Sequence, residues 1–141
     1  MEYKLYFDGS CINNPNGQST SAFVLFKDGV VLVSKAIKNG IGSSNQSEYN
    51  GLIVGLKECL KRHIVKVDVL SDSMLVVQQM KGNWRVKNPR IKELYEEAKF
   101  LEEQIGDVQY RWINREENWM ADELAGEELE SCMGGVRLVG I

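Results

Sequence analysis

The sequence predicts an α/β fold: a five-stranded mixed sheet, three strands antiparallel and two parallel, flanked by helices. Three observations carry this. Residues 3–33 hold three β-prone runs separated by turn signals. After Gly40 the apolar spacing becomes that of a helix. A strand then follows that helix, and a strand–helix–strand order favours a parallel crossover. The chain has 141 residues, about one domain's worth, enough for one sizeable core without staples.

Taken in order, the elements are β-β-β-α-β-α-α-β-α. Tyr3, Leu5 and Phe7 alternate with Lys4 and Tyr6, and this run stops at Asp8-Gly9. A loop rich in Asn, Pro and Gly is expected from Ser10 to Ser21. The runs AFVLF and VVLV flank Lys27-Asp28-Gly29, and Asp-Gly between β-prone runs signals a hairpin. Tyr49, Leu52, Ile53, Leu56 and Leu60 recur at helical spacing, with Gly51 and Gly55 on one side, suited to close approach to a sheet. VDVL (67–70) reads as a short buried strand, and Ser73 to Met80 as a short helix. Asn88-Pro89 opens another helix, since Pro is favoured at the first helical position. Its stripe is Ile91, Leu94, Tyr95, Ala98 and Leu101, and Gly106 ends it. Val108, Tyr110 and Trp112 alternate as a last core strand, before a final helix from Asn118 to Ser131. Residues 1–131 form the expected domain. Residues 132–141 form a tail hinged at Gly134-Gly135, whose Val136, Leu138 and Ile141 suit packing on a sheet edge or a helix.

Composition narrows the function classes. Hydrophobic residues at 43% and charged residues at 26% are ordinary for a globular protein and argue against disorder. No apolar run approaches the ~18 residues of a membrane span, and the start MEYKLYFDGS has no signal-peptide pattern. Cys11, Cys59 and Cys132 are too irregular for a disulfide framework or a zinc site, so reduced thiols in the cytoplasm are expected. The single histidine, His63, leaves little for histidine-based catalysis. The net charge of −3, taken alone, speaks against a nucleic-acid partner.

Four acidic residues sit at element ends: Asp8, Glu48, Asp72 and Asp122. Each alone has an ordinary reading. Asp8 before Gly9 is a turn residue, Glu48 a capping partner after Asn45, Asp72 a helix cap and Asp122 solvated surface. Together they read differently. If the first strand and VDVL are parallel neighbours, Asp8 and Asp72 end side by side, where α/β sheets usually bind ligands. Helices crossing the sheet can bring Glu48 and Asp122 to the same place. Converging carboxylates repel unless a counter-charge joins them. Mg²⁺ suits carboxylates plus phosphate oxygens, and paired ions about 3.5–4 Å apart stabilise both the attacking and the leaving oxygen in phosphodiester cleavage.

At these residues the sequence resembles type 1 ribonuclease H. The likeness runs from Leu5 to Leu129 and rests on DGSCINNPNG, SSNQSEYNGLIVGL, SDSMLVVQQM and REENWMADELA, in order and with fitting spacing. It implies the ribonuclease H-like fold and hydrolysis of the RNA strand of an RNA–DNA hybrid, leaving 5′-phosphate and 3′-hydroxyl ends. It implies two Mg²⁺ ions, with Mn²⁺ as a substitute, held by Asp8, Glu48, Asp72 and Asp122. Asp8 and Asp72 would be shared between the ions. Glu48 would hold one and contact a ribose 2′-hydroxyl, the group that separates RNA from DNA. Asp122 would hold the other. Gly9, Ser10 and Cys11 resemble contacts to the RNA strand. Asn14, Asn45 and Gln46 resemble minor-groove and DNA-strand contacts, the alternative for Asn14 and Asn45 being turn and capping duty.

Two departures place the chain with an archaeal-like branch. The loop INREEN has no histidine, and Arg115 takes the approximate place. Arginine does not accept protons at working pH, so it acts by contacting phosphate or product, or else pairs with Glu116 or Glu117. The segment KGNWRVKNPR is too short for the basic protrusion of some members, though Lys81, Arg85, Lys87 and Arg90 surround Trp84. Trp84 either packs on a sugar or base of the DNA strand or lies between helices. The alternatives are added cleavage of double-stranded RNA, a non-catalytic hybrid-binding module, which loses a carboxylate, and a 3′ exonuclease, which opens with Asp-x-Glu where this chain has Asp8-Gly9-Ser10. A monomer is expected. Setting the four carboxylates aside leaves a balance of one positive charge, so the acidic total does not exclude nucleic acid. It implies few phosphate contacts and a shallow salt dependence.

Overall fold

The computed structural model describes residues 2–132. Among these residues five strands form one sheet in the order β3-β2-β1-β4-β5, with β1 Tyr3–Cys11, β2 Gly17–Lys27, β3 Val30–Gly42, β4 Lys66–Ser71 and β5 Asp107–Trp112. The helices are α1 Ser44–Lys61, α2 Met74–Met80, α3 Pro89–Ile105 and α4 Trp119–Cys132, with a 3₁₀ turn at Arg115–Asn118 before α4. The first three strands pair antiparallel, and β4 lies parallel to both β1 and β5. Element order and sheet composition match the reading from sequence. The tail after Cys132, with Gly134-Gly135 and its expected packing, lies outside the described residues. Cys132 itself belongs to α4 rather than to the tail.

Local chemistry sets the boundaries. Asp28 and Gly29 both take positive φ, 50° and 80°, which is the two-residue turn that suits the twist of a hairpin. Ser43 caps α1 in a reciprocal box: its hydroxyl accepts from Gln46 N, and Gln46 Oε1 accepts from Ser43 N. The cap is therefore Ser43 rather than Asn45, and Glu48 stands in the second turn, beyond the cap. Ser73, not Asp72, caps α2 by accepting from Val76 N. Asn88 caps α3 with Pro89 at its start, and Gly106 closes it.

Two strands differ from expectation. β1 continues three residues past Asp8, because its ladder with β2 runs on through Gly9↔Ser21, Ser10↔Thr20 and Cys11↔Ser19. Asp8 is thus a strand residue paired with Ala22 of β2, not a turn residue. In β5 only Tyr110 is buried; Trp112 is exposed, since β5 is an edge strand, and its Nε1 donates to Asp72 O at 3.1 Å.

The core lies between the sheet and the α1–α3 layer. Leu5, Phe7, Phe23, Leu25, Val67 and Val69 meet Leu52, Leu56, Ala98 and Leu101 there. Helix α4 covers the opposite face, where Thr20 Oγ1 donates to Ala125 O at 2.6 Å. Helix α1 lies very close to β1. A Cβ at Gly51 would stand 2.8 Å from Asp8 O and 3.2 Å from Ala22 O, and one at Gly55 would stand 2.8 Å from Leu5 Cδ1. The first clash is with backbone, which has little room to yield. Gly51→Ala is expected to destabilise the domain by about 1–3 kcal/mol, read as a lower denaturation midpoint. Unchanged stability would show that α1 can lift away from the sheet.

Candidate active site

The four acidic residues meet at one end of the sheet. Asp8 lies on β1 and is 4% exposed. Asp72 follows β4, which runs parallel beside β1, so both point out of the same end. Glu48 descends from α1 and Asp122 stands in the first turn of α4. Asp8 is within hydrogen-bonding range of both Glu48 and Asp122, and feels the charge of Asp72. The close approach of α1 fixes part of this, since a Cβ at Gly9 would stand 2.6 Å from Glu48 N.

This gathering is electrostatically costly. Loss of solvent, then the charges of Glu48 and Asp72, hold the Asp8 carboxyl far above the ordinary carboxylate range. Glu48 is also raised, first by burial and further by Asp72, while hydrogen bonding with Asp8 and Ser73 and from the Gly9 N–H pulls it back. Glu48 Oε2 is shut off from solvent yet makes no hydrogen bond of good geometry. A buried carboxylate oxygen without a donor, beside other carboxylates, fits a hard divalent cation, which prefers oxygen ligands. Among the described residues no group of three or more acidic, histidine or cysteine side chains is drawn in closely enough to enclose a cation alone. A cation here would keep coordination positions for oxygens from elsewhere.

The other singled-out residues spread along this end. Ser10 is buried in β1, and Cys11 Sγ donates to Gly42 O at 3.1 Å. Asn14 Oδ1 accepts from Ser44 N at 2.9 Å, tying the β1–β2 loop to the start of α1. Asn45 is exposed, and Gln46 commits Oε1 to the Ser43 cap. Arg115 pairs not with Glu116 or Glu117 but with Asp122, Nε to Oδ2 at 3.5 Å, because the 3₁₀ turn carries it over the start of α4. Trp84 does not lie between helices. It is 48% exposed and borders a groove of about 490 Å³ with Arg85, Val86, Lys92 and Tyr95.

Two features escaped the sequence reading. Asn118 is 1% exposed, and its Nδ2 donates to Phe7 O and to Asp72 Oδ1 at 2.8 and 2.7 Å. Its spacing of four from Asp122 was the available signal, since such residues share a helix face. Arg90 and Asn88, at the start of α3, form a polar pocket of about 330 Å³ with Asn16, Ser43 and Gln46. No local pattern joins those segments.

Fold and acidic site together define a ribonuclease H-type domain, and comparison with known proteins agrees. A family model described as "Reverse transcriptase-like" matches residues 6–128, and the chain belongs to that family. A bifunctional protein of Mycobacterium tuberculosis is 35% identical over 134 residues, which is 94% of this chain but 36% of that protein. The chain thus spans about a third of the length of this curated relative. The N-terminal RNase H domain of that protein superposes with a TM-score of 0.90 at 32% identity, covering 94% of this chain and 96% of the other. RNase H1 of the halophilic archaeon Halobacterium salinarum gives 0.89 at 28%, covering 93% and 99%. LC11-RNase H1, solved with an RNA/DNA hybrid, gives 0.89 at 28%, covering 94% and 99%.

The raised acids link stability to pH. Their folded values lie above the unfolded ones, so the native state keeps protons that the unfolded chain releases. The resulting stability is full below the unfolded carboxylate values near 4 and is lost as pH rises through the folded ones. In chelator, Asp8→Asn is expected to melt higher than wild type, with a gap that widens with pH and reaches about 4 °C or more at alkaline pH. Parallel melting curves that do not diverge would contradict the raised values.

Proposed function

We propose that this domain is an endonuclease that hydrolyses the RNA strand of RNA–DNA hybrids with two Mg²⁺ ions, Mn²⁺ substituting, and leaves 5′-phosphate and 3′-hydroxyl ends. The observation that carries this is the convergence of Asp8, Glu48, Asp72 and Asp122 with a buried oxygen of Glu48 left without a donor. The hybrid-bound LC11-RNase H1, which shares the fold along nearly its whole length, supports the choice of substrate. The three free thiols suit a monomer of the cytoplasm, and no helix among the described residues is long and apolar enough to cross a membrane.

In this reading Asp8, Asp72, Glu48 and Asp122 would hold the ions, with Asp8 and Asp72 shared, Glu48 serving one ion and Asp122 the other. The bound ions supply Lewis-acid stabilisation of the charge that develops as the phosphodiester bond breaks. The chain's own residues do the rest. Glu48 tests for a 2′-hydroxyl. Backbone groups at Gly9, Ser10 and Cys11 follow the RNA strand, and Asn14, Asn45 and Gln46 meet the minor groove and the DNA strand. Arg115, paired with Asp122 at 3.5 Å, is the cation at this end that would contact a substrate or product phosphate. The groove beside Trp84 receives the DNA strand, with Arg85 and Lys92 at its walls. Arg90 offers a cation to a backbone phosphate in the pocket between the starts of α1 and α3.

Purified protein with Mg²⁺ or Mn²⁺ is expected to cut a labelled hybrid, and Asp8→Asn to reduce cleavage below detection. Activity retained in that variant would remove the site assignment. Digesting hybrid, duplex RNA and single-stranded RNA in parallel separates hybrid specificity from broader cleavage. Trp84→Ala is expected to weaken hybrid binding by about 1–3 kcal/mol, the usual worth of a base–aromatic stack, with kcat little changed. An unaltered KM would exclude Trp84 from the interface.

A further inference from the structure

We infer that Asn118 is a positioning residue that sets the separation of Asp8 and Asp72, an inference resting on the metal-dependent reading above. The backbone pairing of β1 with β4 ends at Tyr6↔Leu70. Beyond that point the sheet ladder no longer dictates how far apart the two strands lie, and both carboxylates come after it. Asn118 spans this gap. Its amide nitrogen uses one hydrogen on Phe7 O, the carbonyl immediately before Asp8, and the other on Asp72 Oδ1. The amide orientation follows from chemistry: both partners are oxygens that only accept when Asp72 is ionised, and a flipped amide would set oxygen against oxygen. One buried nitrogen thus links the backbone beside one carboxylate to the side chain of the other. It does so from the turn leading into α4, four residues before Asp122.

The amide is not there for packing. Asn118 Oδ1 is buried and has no hydrogen-bond partner. An unpartnered buried oxygen is destabilising, and an apolar side chain of similar size would avoid it. What an apolar residue cannot do is donate twice. Asp72 also has its carbonyl held by Trp112 Nε1, so its main chain and its side chain are anchored by separate donors, and among the described residues only Asn118 donates a hydrogen bond to the carboxylate.

The test is metal binding, read without substrate. Wild type and Asn118→Ala are melted over a series of Mg²⁺ and Mn²⁺ concentrations, with Asn114→Ala as the control. Asn114 Oδ1 accepts from Glu117 N in the same 3₁₀ turn and touches none of the carboxylates in the bonds described. Both variants are expected to melt lower than wild type. Only Asn118→Ala is expected to raise the metal concentration giving half the melting shift, by about tenfold or more, the usual effect of losing a partner that orients a ligand. Its cleavage should partly return at high metal. Equal half-shift concentrations in wild type and Asn118→Ala would overturn the inference while leaving the proposed function intact. A wild type with neither metal response nor cleavage would overturn both. Should Asn118→Ala fail to fold, the side-chain amide of Asn118 in ¹⁵N-labelled wild type decides. Shifts of its two hydrogens on adding Mg²⁺ support the inference, and an unmoved pair refutes it.

Discussion

The close seating of helix α1 on strand β1 is the constraint on which the rest of the molecule depends. Glycines 9 and 51 stand at the crossing, and the space a Cβ would need at either is already taken by backbone of the other element. At this distance Glu48 Oε2 is shut off from solvent beside the buried Asp8, and loss of solvent raises both carboxyls. A longer separation would admit water between helix and strand and relax both acids towards ordinary values. The packing that makes the core compact therefore also makes one end of it electrostatically unstable.

Such instability can be relieved by protons or by cations, and the geometry allows for both. Without metal, raised proton affinity neutralises part of the charge, and Arg115 neutralises more by pairing with Asp122. In the proposed enzyme, divalent ions held by these carboxylates would supply that counter-charge, leaving Arg115 to meet the substrate. The net charge of −3 then has a local explanation. Acidic residues that look unfavourable for a nucleic-acid partner are concentrated where cations would reverse their sign. The cations Arg85, Arg90 and Lys92 lie apart from them, along the grooves at the starts and flanks of α3.

The elements that carry this site differ in how they are held. β1 and β4 are parallel neighbours through a helical crossover, but their ladder stops short of the functional residues. Side chains take over there: Asn118 across the gap, Trp112 on the carbonyl of Asp72, and the capping groups of α1 and α2 below Glu48. These polar contacts are directional and few.

By itself the sequence determined the element order, the hairpin at Asp28-Gly29, the glycine face of α1 and the placing of four acidic residues at element ends. These follow from periodicity, turn chemistry and short motifs, which are local properties of a chain. Only the tertiary structure decided that Asp8 is a strand residue rather than a turn residue, because its ladder partner on β2 is Ala22, fourteen residues along the chain. It also decided that Ser43 rather than Asn45 caps α1, that Arg115 pairs with Asp122, and that Trp84 faces a groove. Asn118 belongs to this second group. Its partners Phe7 and Asp72 lie 111 and 46 residues away, and a hydrogen bond over that distance leaves no periodic trace. A chain writes its local geometry in nearest neighbours, whereas the spacing of charges in a site is set by whichever distant groups the fold brings within bonding reach.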